Sequence, residues 1–471
     1  MLKNKKFARY AIAFNILGIV FMFFYSGLQN DHINIIQAYS AWNNNATLIP
    51  MTVGNLVCIV LTLVYGTCFI KFGVRKTLIP CIAVSALGCL GLAAANGLAC
   101  NSPNATLASA AIGDPNVVGN YVLYAISLFL IRVTCMCFQM AGFQLAATWF
   151  IRYRGRVLGI ITLGSPLFSV VGTSVMNNFI GTYLGGDYRP FYTGVCVVLV
   201  IIAILSALLL RDAPEDVGLY PDGSDTPPKS EAEEETKLSI GDVLKQKKSW
   251  IMIVNYGVYQ FIINACMASM VVWFTRLVIL NADAVAAGPL GAAFTGMGGL
   301  EGGGAMVLFV NQATRWLSVG ALVGIVTSFL FGVIDDKCGT PVASLILGIT
   351  EFLPIIGLMS QWHFVATTGA CNVPLLILWG FGVSCMTGGV PTMHPASISF
   401  AFGRREYQAA NRIIMAIQLI PCAFAAQIMA AMINSGNPMS AWIMCLIVLA
   451  IGIIFTIPMF KMKDANAADR G

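Results

Sequence analysis

Gly66-Thr-Cys-Phe-Ile-Lys71-Phe-Gly73-Val-Arg75-Lys76 and Gly332-Val-Ile-Asp335-Asp336-Lys337-Cys-Gly339 are two versions of one short stretch, far apart in the chain. Each sets glycines and charges between two long apolar runs. Glycine tolerates the positive φ of a tight turn, and basic side chains suit the carboxy-terminal ends of helices. Outward from these turns, apolar runs of about 20 residues, enough to cross about 30 Å of hydrocarbon, recur along the whole sequence. Twelve are expected, over residues 10-30, 47-70, 77-96, 119-149, 157-182, 190-210, 250-279, 316-334, 341-360, 374-402, 409-433 and 440-460.

The composition agrees: 58% of the 471 residues are hydrophobic and 10% are charged, a balance that points to a membrane protein. The first run follows Lys3, Lys5, Lys6 and Arg9, but it is too long for a secretory signal and lacks a small-residue cleavage site, so it reads as a retained helix. With the amino terminus in the cytoplasm, all 27 Lys and Arg except Arg132, Arg189, Arg276 and Arg315 fall on the cytoplasmic side. The positive-inside rule then puts both termini in the cytoplasm and the protein in the cytoplasmic membrane. Trp149, Trp250, Trp273, Trp316, Trp362 and Trp442 fall near predicted helix ends, where indoles are expected at the lipid-water boundary. A net charge of +6 spread over loops marks topology, not a nucleic-acid surface. Most of the 14 cysteines lie within helices, without metal-binding spacing, so free buried thiols are expected and no metal. Cys100 and Cys371 fall in outer loops, and no bond between them is expected.

Residues 211-248 interrupt the apolar pattern and hold ten of the 21 acidic residues, which marks a linker. Its end, Ser239-Ile-Gly-Asp242-Val-Leu-Lys-Gln-Lys-Lys248, reads as a capped surface helix. The expected domains are a six-helix bundle over 1-210, the linker over 211-248 and a second six-helix bundle over 249-471. An internal repeat joined by a linker is the pattern of a two-lobed transporter.

The repeated Gly-x-x-x-Asp-Lys/Arg-x-Gly turn resembles the signature of the major facilitator superfamily. The second copy carries Asp336, Lys337 and Gly339, while Ile70 stands at the acidic position of the first. Trp149-Phe-Ile-Arg-Tyr-Arg154-Gly-Arg156-Val-Leu-Gly159, Gly164-Ser-Pro166, Pro214-Glu-Asp-Val-Gly-Leu-Tyr-Pro-Asp-Gly223 and Phe402-Gly403-Arg404-Arg405 are similar to patches of the oxalate/formate antiporter family and its monocarboxylate-transporter relatives. The resemblance implies an all-α integral membrane protein, with twelve transmembrane helices in two pseudo-symmetric bundles. It assigns Gly66, Gly73, Arg75, Gly332, Asp336, Lys337 and Gly339 to conformational change.

A charge within the bilayer is costly, so the polar residues of the apolar runs are informative. Arg132, near the middle of the fourth run, is a candidate for substrate or proton handling; the bland alternative is a structural pair. Glu351, in the ninth run, is a candidate proton carrier or a carboxyl fixed to a neighbouring helix. Asp31 and His32 close the first run as a titratable gate or a wetted helix end. His394 precedes Pro395 beside Gly388, Gly389 and Pro391, which loosen the tenth run. In the seventh run Asn255, Tyr256, Gln260 and Asn264 put several polar groups on one stripe, for substrate or for inter-helix bonding. Arg276 is expected to extend its side chain to the interface. The resemblance places substrate-binding cations in the eighth and eleventh runs, where this chain has Ser328, beside Thr327, and Gln418. Two charge-assisted contacts, about 1.5-3 kcal/mol each, are therefore missing for a small dicarboxylate. The Gly-rich segment 281-312, with Glu301, is a lid or a flexible spacer.

An embedded enzyme would need a nucleophile with its base or a metal cluster, and a channel would need a repeated pore segment. Neither pattern is present, and no phosphate loop points to ATP. The expectation is a monomeric secondary carrier, without cofactor, for a small organic solute. A carboxylate-type anion moved by proton symport or anion exchange is the first reading. A larger weakly polar or neutral compound, or a transporter-like receptor without flux, is the alternative.

Overall fold

The computed structural model describes residues 5-28, 44-95, 115-168, 179-184, 187-224, 239-296 and 307-465, and no strand occurs among them. The first helices are α1 (Lys5–Ser26), α2 (Asn44–Phe72), α3 (Val74–Ala94), α4 (Pro115–Trp149), α5 (Arg154–Ile161), α6 (Gly164–Leu167) and α7 (Arg189–Leu209). There follow α8 (Ile240–Lys245), α9 (Lys247–Ala268), α10 (Met270–Leu280), α11 (Ala282–Ala287), α12 (Gly291–Gly296) and α13 (Val307–Cys338). The last are α14 (Thr340–Thr350), α15 (Phe352–Thr368), α16 (Val373–Ala423), α17 (Ala425–Ile433) and α18 (Met439–Ile454). Among the described residues ten helical spans are long and apolar enough to cross a membrane. Of the other two expected spans, 316-334 lies inside α13, and 157-182 is described only in part.

The apolar pattern is turned outward, as a lipid solvent requires. Ile12, Val60, Leu87, Val197 and Leu208 are exposed, while Ser85, Asn255, Ser344 and Gln361 are buried. Helices approach one another through small residues. In α3, a Cβ at Gly88 would stand 2.9 Å from the Ser127 carbonyl of α4, so this seam has no room for a larger residue. At Gly164 of the Gly-Ser-Pro patch a Cβ would overlap the Ile19 carbonyl, and the adjacent Ser165 shares a 2.5 Å hydrogen bond with Ser26 of α1.

The chain groups into two compact units: residues up to Lys245 with Ile398–Ala416 and the residues from Asp464, and Gln246–Ser397 with Ile417–Lys463. In the first, α3 packs on α4 and α7, and α2 on α4; in the second, α9 and α15 pack on α18 and α13 on α14. Pro354 has no N–H to return to Thr350, and the ninth span breaks there into α14 and α15 at Glu351. Gly403, at φ 71°, makes the turn within α16.

Two sequence expectations need correction. Trp149, Trp273 and Trp442 are buried inside protein packing instead of facing a lipid-water boundary, because their rings pack on other aromatic rings. Trp273 donates to the Leu358 carbonyl at 3.0 Å and stacks edge-on with Trp442, and Trp149 donates to the Arg211 carbonyl at 3.2 Å. Trp250 is exposed. Nor is the segment from 282 to 296 a spacer: it forms α11 and α12, and α11 packs on α15. All thirteen described cysteines are free; eight are buried, as expected, while Cys338 is exposed.

Candidate functional site

The first unit carries Arg132 on α4, buried at 8% exposure. Its Nε donates to the side-chain oxygen of Asn55 on α2. Space for the arginine stem comes from Gly54, where a Cβ would come within 2.7 Å of Arg132 Cγ. The Arg132 carbonyl accepts from the thiols of Cys58 and Cys135 at 3.5 and 3.2 Å. A guanidinium in a spanning helix is thus fixed by an amide, a geometry that leaves it a cation with a defined aim.

The polar stripe of α9 divides. Tyr256, Gln260 and Asn264 follow at intervals of four, and Asn264 donates to the Gln260 carbonyl at 2.9 Å. Asn255, one residue off, turns toward α18 and donates to the Gly452 carbonyl and to Thr456 Oγ1, both at 2.7 Å. Tyr256 meets Ser344 of α14, accepts from Ser397 of α16 at 2.6 Å, and lies edge-on to the His394 ring with centroids 5.8 Å apart. Gln418 donates through Nε2 to the Met252 carbonyl at 2.9 Å, so its oxygen faces His394 Nε2 at 2.7 Å and His394 is the donor. The structure therefore brings Tyr256, His394 and Gln418 into one cluster. Ser328 pairs with Thr392 at 3.3 Å, and Thr327 reaches the Ser384 carbonyl at 3.2 Å.

Glu351 is fully buried, and neither carboxyl oxygen has a hydrogen-bond partner among the described residues. An ionised carboxyl so enclosed costs several kcal/mol. Arg276 is half-buried on α10, with its Nε enclosed. Asp31, His32, Cys100 and Glu301 lie outside the described residues.

The repeated turns supply the other expected residues. Gly73 and Gly339 share one backbone conformation, φ 85° with ψ 163° and φ 88° with ψ 156°, and each caps the start of the next helix. At the first turn the acid comes from elsewhere: Asp212 accepts from the Arg75 backbone N–H at 2.7 Å, while the Arg75 guanidinium reaches the Ala207 carbonyl. At the second, Asp335 is buried and accepts from Thr340 at 2.5 Å; Asp336 is half-buried and Lys337 exposed. A Cβ at Gly66 would overlap Arg412, whose guanidinium donates to Thr67 at 2.8 Å. Gly332 is buried. In the Pro-Glu-Asp-Val-Gly patch, Glu215 pairs with Arg404 at 2.8 Å, and Arg404 also donates to the Thr148 carbonyl at 2.9 Å.

Asn55, Asp212, Ser344, Ser397 and Tyr259 were not legible as site residues. Ser344 and Ser397 each bond the carbonyl four residues back at 2.8 Å, as lone serines in apolar helices commonly do, and only the fold supplies their second partner. Asp212 carries one usable signal, an acid just past a spanning helix when the first turn lacks its own.

Apolar spans, inward-facing polar residues and a repeated glycine turn define a multi-pass membrane protein of transporter type. The sequence pattern of the Major Facilitator Superfamily matches residues 7–311, and the chain belongs to that superfamily. No curated protein matches it in sequence. Among solved structures it is similar to the proton:xylose symporter XylE, bound to 6-bromo-6-deoxy-D-glucose, with TM-score 0.59 and 14% identity over 98% of each chain. It is likewise similar to FucP in the outward conformation, at TM-score 0.59 and 15% identity over 96% of this chain and 99% of that one. A variant of the E. coli fucose:proton symporter gives TM-score 0.60 at 15% identity, with the same coverage. At such identities the likeness is one of fold.

Proposed function

We propose that this protein is a monomeric secondary carrier of the cytoplasmic membrane, with both termini cytoplasmic, that moves a small organic anion, a monocarboxylate first, by alternating access. The halves are residues 1-210 and 249-471, with 211-248 between them. The observation that carries the substrate class is Arg132: a buried guanidinium on a spanning helix, aimed by Asn55, is a cation suited to one carboxylate. Tyr256, Gln260, Asn264, Ser328, His394 and Gln418 supply neutral hydrogen-bonding groups. Movement is driven by proton symport or by exchange for a second anion.

A second reading, a neutral hydroxylated or weakly polar solute, is favoured by the absence of lysine, arginine and carboxylate side chains from the Tyr256–His394–Gln418 trio and by the sugars named for the structural neighbours. The thermal midpoint of the detergent-purified protein separates the two. Binding to the folded state alone stabilises it by about 2.7 kcal/mol at a hundred times the dissociation constant. The first reading expects monocarboxylates to raise the midpoint and Arg132→Ala to abolish that rise. A rise with neutral sugars or steroidal compounds alone overturns it in favour of the second.

A further inference from the structure

Ser344, Gly348 and Glu351 fall at intervals of four and three along the ninth span, and so share one face. That face meets α9. A Cβ at Gly348 would overlap the Tyr259 hydroxyl, which places this hydroxyl about one turn, roughly 5 Å, from the level of Glu351. Glu351 is close enough to Tyr259 and Cys266 to act on both electrostatically. From α18 the titratable neighbour is Cys445, beside Cys266; α14 and α15 add no acid or base near this level, since His363 lies three turns on and is exposed.

Tyr259 has one proton and two places to put it. Its hydroxyl stands 3.3 Å from the Ser344 carbonyl and 3.0 Å from Thr456 Oγ1, which also accepts from Asn255. One turn along the same face, Ser344 Oγ meets Tyr256, which leads on to Ser397, His394 and Gln418. A deprotonated Glu351 calls for a donor, and the Tyr259 hydroxyl of α9, set against this face at Gly348, is the donor that α9 offers there. Turning that hydroxyl to donate a hydrogen bond to the carboxylate withdraws it from the Ser344 carbonyl and loosens the contact of α14 with α9, on which the Tyr256 cluster depends.

We infer that Glu351 is a proton-binding site set apart from the solute-binding cluster, and that Tyr259, spaced by Gly348, reports its occupancy to Tyr256, His394 and Gln418. The event is one proton bound to or released from the carboxyl; no other covalent bond is made or broken, and only the Tyr259 hydrogen bond changes its acceptor. The link to solute binding rests on the proposed carrier function; the proton site does not.

Two measurements on the full-length purified protein test it. In infrared difference spectra over a pH titration, the wild type is expected to show an acid carbonyl band that Glu351→Gln removes. Glu351→Asp should keep the band with a changed midpoint, which covers the case that the Gln variant fails to fold. Tyr259→Phe should keep it and move its midpoint, and Gly348→Ala should do the same by displacing the hydroxyl. A wild type without the band, a band that survives Glu351→Gln, or an Asp variant that titrates as the wild type does, overturns the proton site. An unmoved midpoint in Tyr259→Phe overturns the link. The second measurement uses lactate: the rise it causes in the thermal midpoint should depend on pH in the wild type and lose that dependence in Glu351→Gln. No rise with lactate in any protein sinks the monocarboxylate reading alone, and the infrared result still decides the proton site.

Discussion

Gly73→Ala and Gly339→Ala make a matched pair, because the two glycines hold nearly the same backbone conformation in different surroundings. Both lie at positive φ with ψ near 160°, a region that only glycine occupies freely, so alanine costs about 1-3 kcal/mol at either site. At Gly339 the nearest atom to a new Cβ is Pro341 Cδ at 3.9 Å, and backbone strain is the whole effect. At Gly73 the Cβ would overlap the Asp212 carboxylate, which must move and give up its bond to the Arg75 N–H. A hydrogen bond to a charged group contributes about 1.5-3 kcal/mol. Gly73→Ala is therefore expected to cost about 2.5-6 kcal/mol and Gly339→Ala about 1-3 kcal/mol. Thermal unfolding of each variant in one detergent reads the difference. The double variant Gly73→Ala with Asp212→Ala should add little to the cost of Asp212→Ala beyond backbone strain. Equal losses at the two glycines would refute the role given to Asp212.

Other expectations follow from single contacts. Gly54→Ala forces the Arg132 stem aside and should weaken the monocarboxylate-induced rise in midpoint by about tenfold in apparent affinity, as loss of roughly 1.4 kcal/mol implies, while leaving the midpoint of the ligand-free protein within a few degrees. Glu215→Gln removes the partly exposed pair with Arg404, at 33% and 12% side-chain exposure; a loss of up to about 1 kcal/mol is expected, shrinking in high salt, and unfolding curves at two salt concentrations check it. Asp187, at the start of α7, has its carboxyl held below the ordinary 3.8 by hydrogen bonds from Arg189. A depressed folded value means that this stabilisation is fully present above the unfolded value and lost as pH falls through the folded one. Asp187→Asn should thus lower the midpoint slightly at neutral pH, by well under 1 kcal/mol because both groups are partly exposed, and the gap to the wild type should close in acid.

Much of this architecture is written locally. A span of about 20 apolar residues has to be a helix in a bilayer whatever its neighbours are, because no water is present to take up its backbone groups. The paired turns at Gly73 and Gly339 and the cap at Ser239, whose hydroxyl accepts from the Asp242 N–H at 3.2 Å, are likewise properties of adjacent residues. Local sequence also singled out Arg132, Glu351 and His394, since a polar group in an apolar run is conspicuous by its cost. Which side chains those groups meet depends on helix rotation and on pairing between segments far apart in sequence. The α9 stripe shows the difference: one residue of rotation, about 100° around the helix, sends Asn255 to α18 and Tyr256 to Ser344, Ser397 and His394. The acid missing at Ile70 is supplied by Asp212, and three indoles expected at a boundary are taken into the interior. Composition and period determined that this chain spans a membrane in many helices; only the packing of those helices decided which polar residues stand together, because contact across helices is set by the sum of all their faces and by no single stretch.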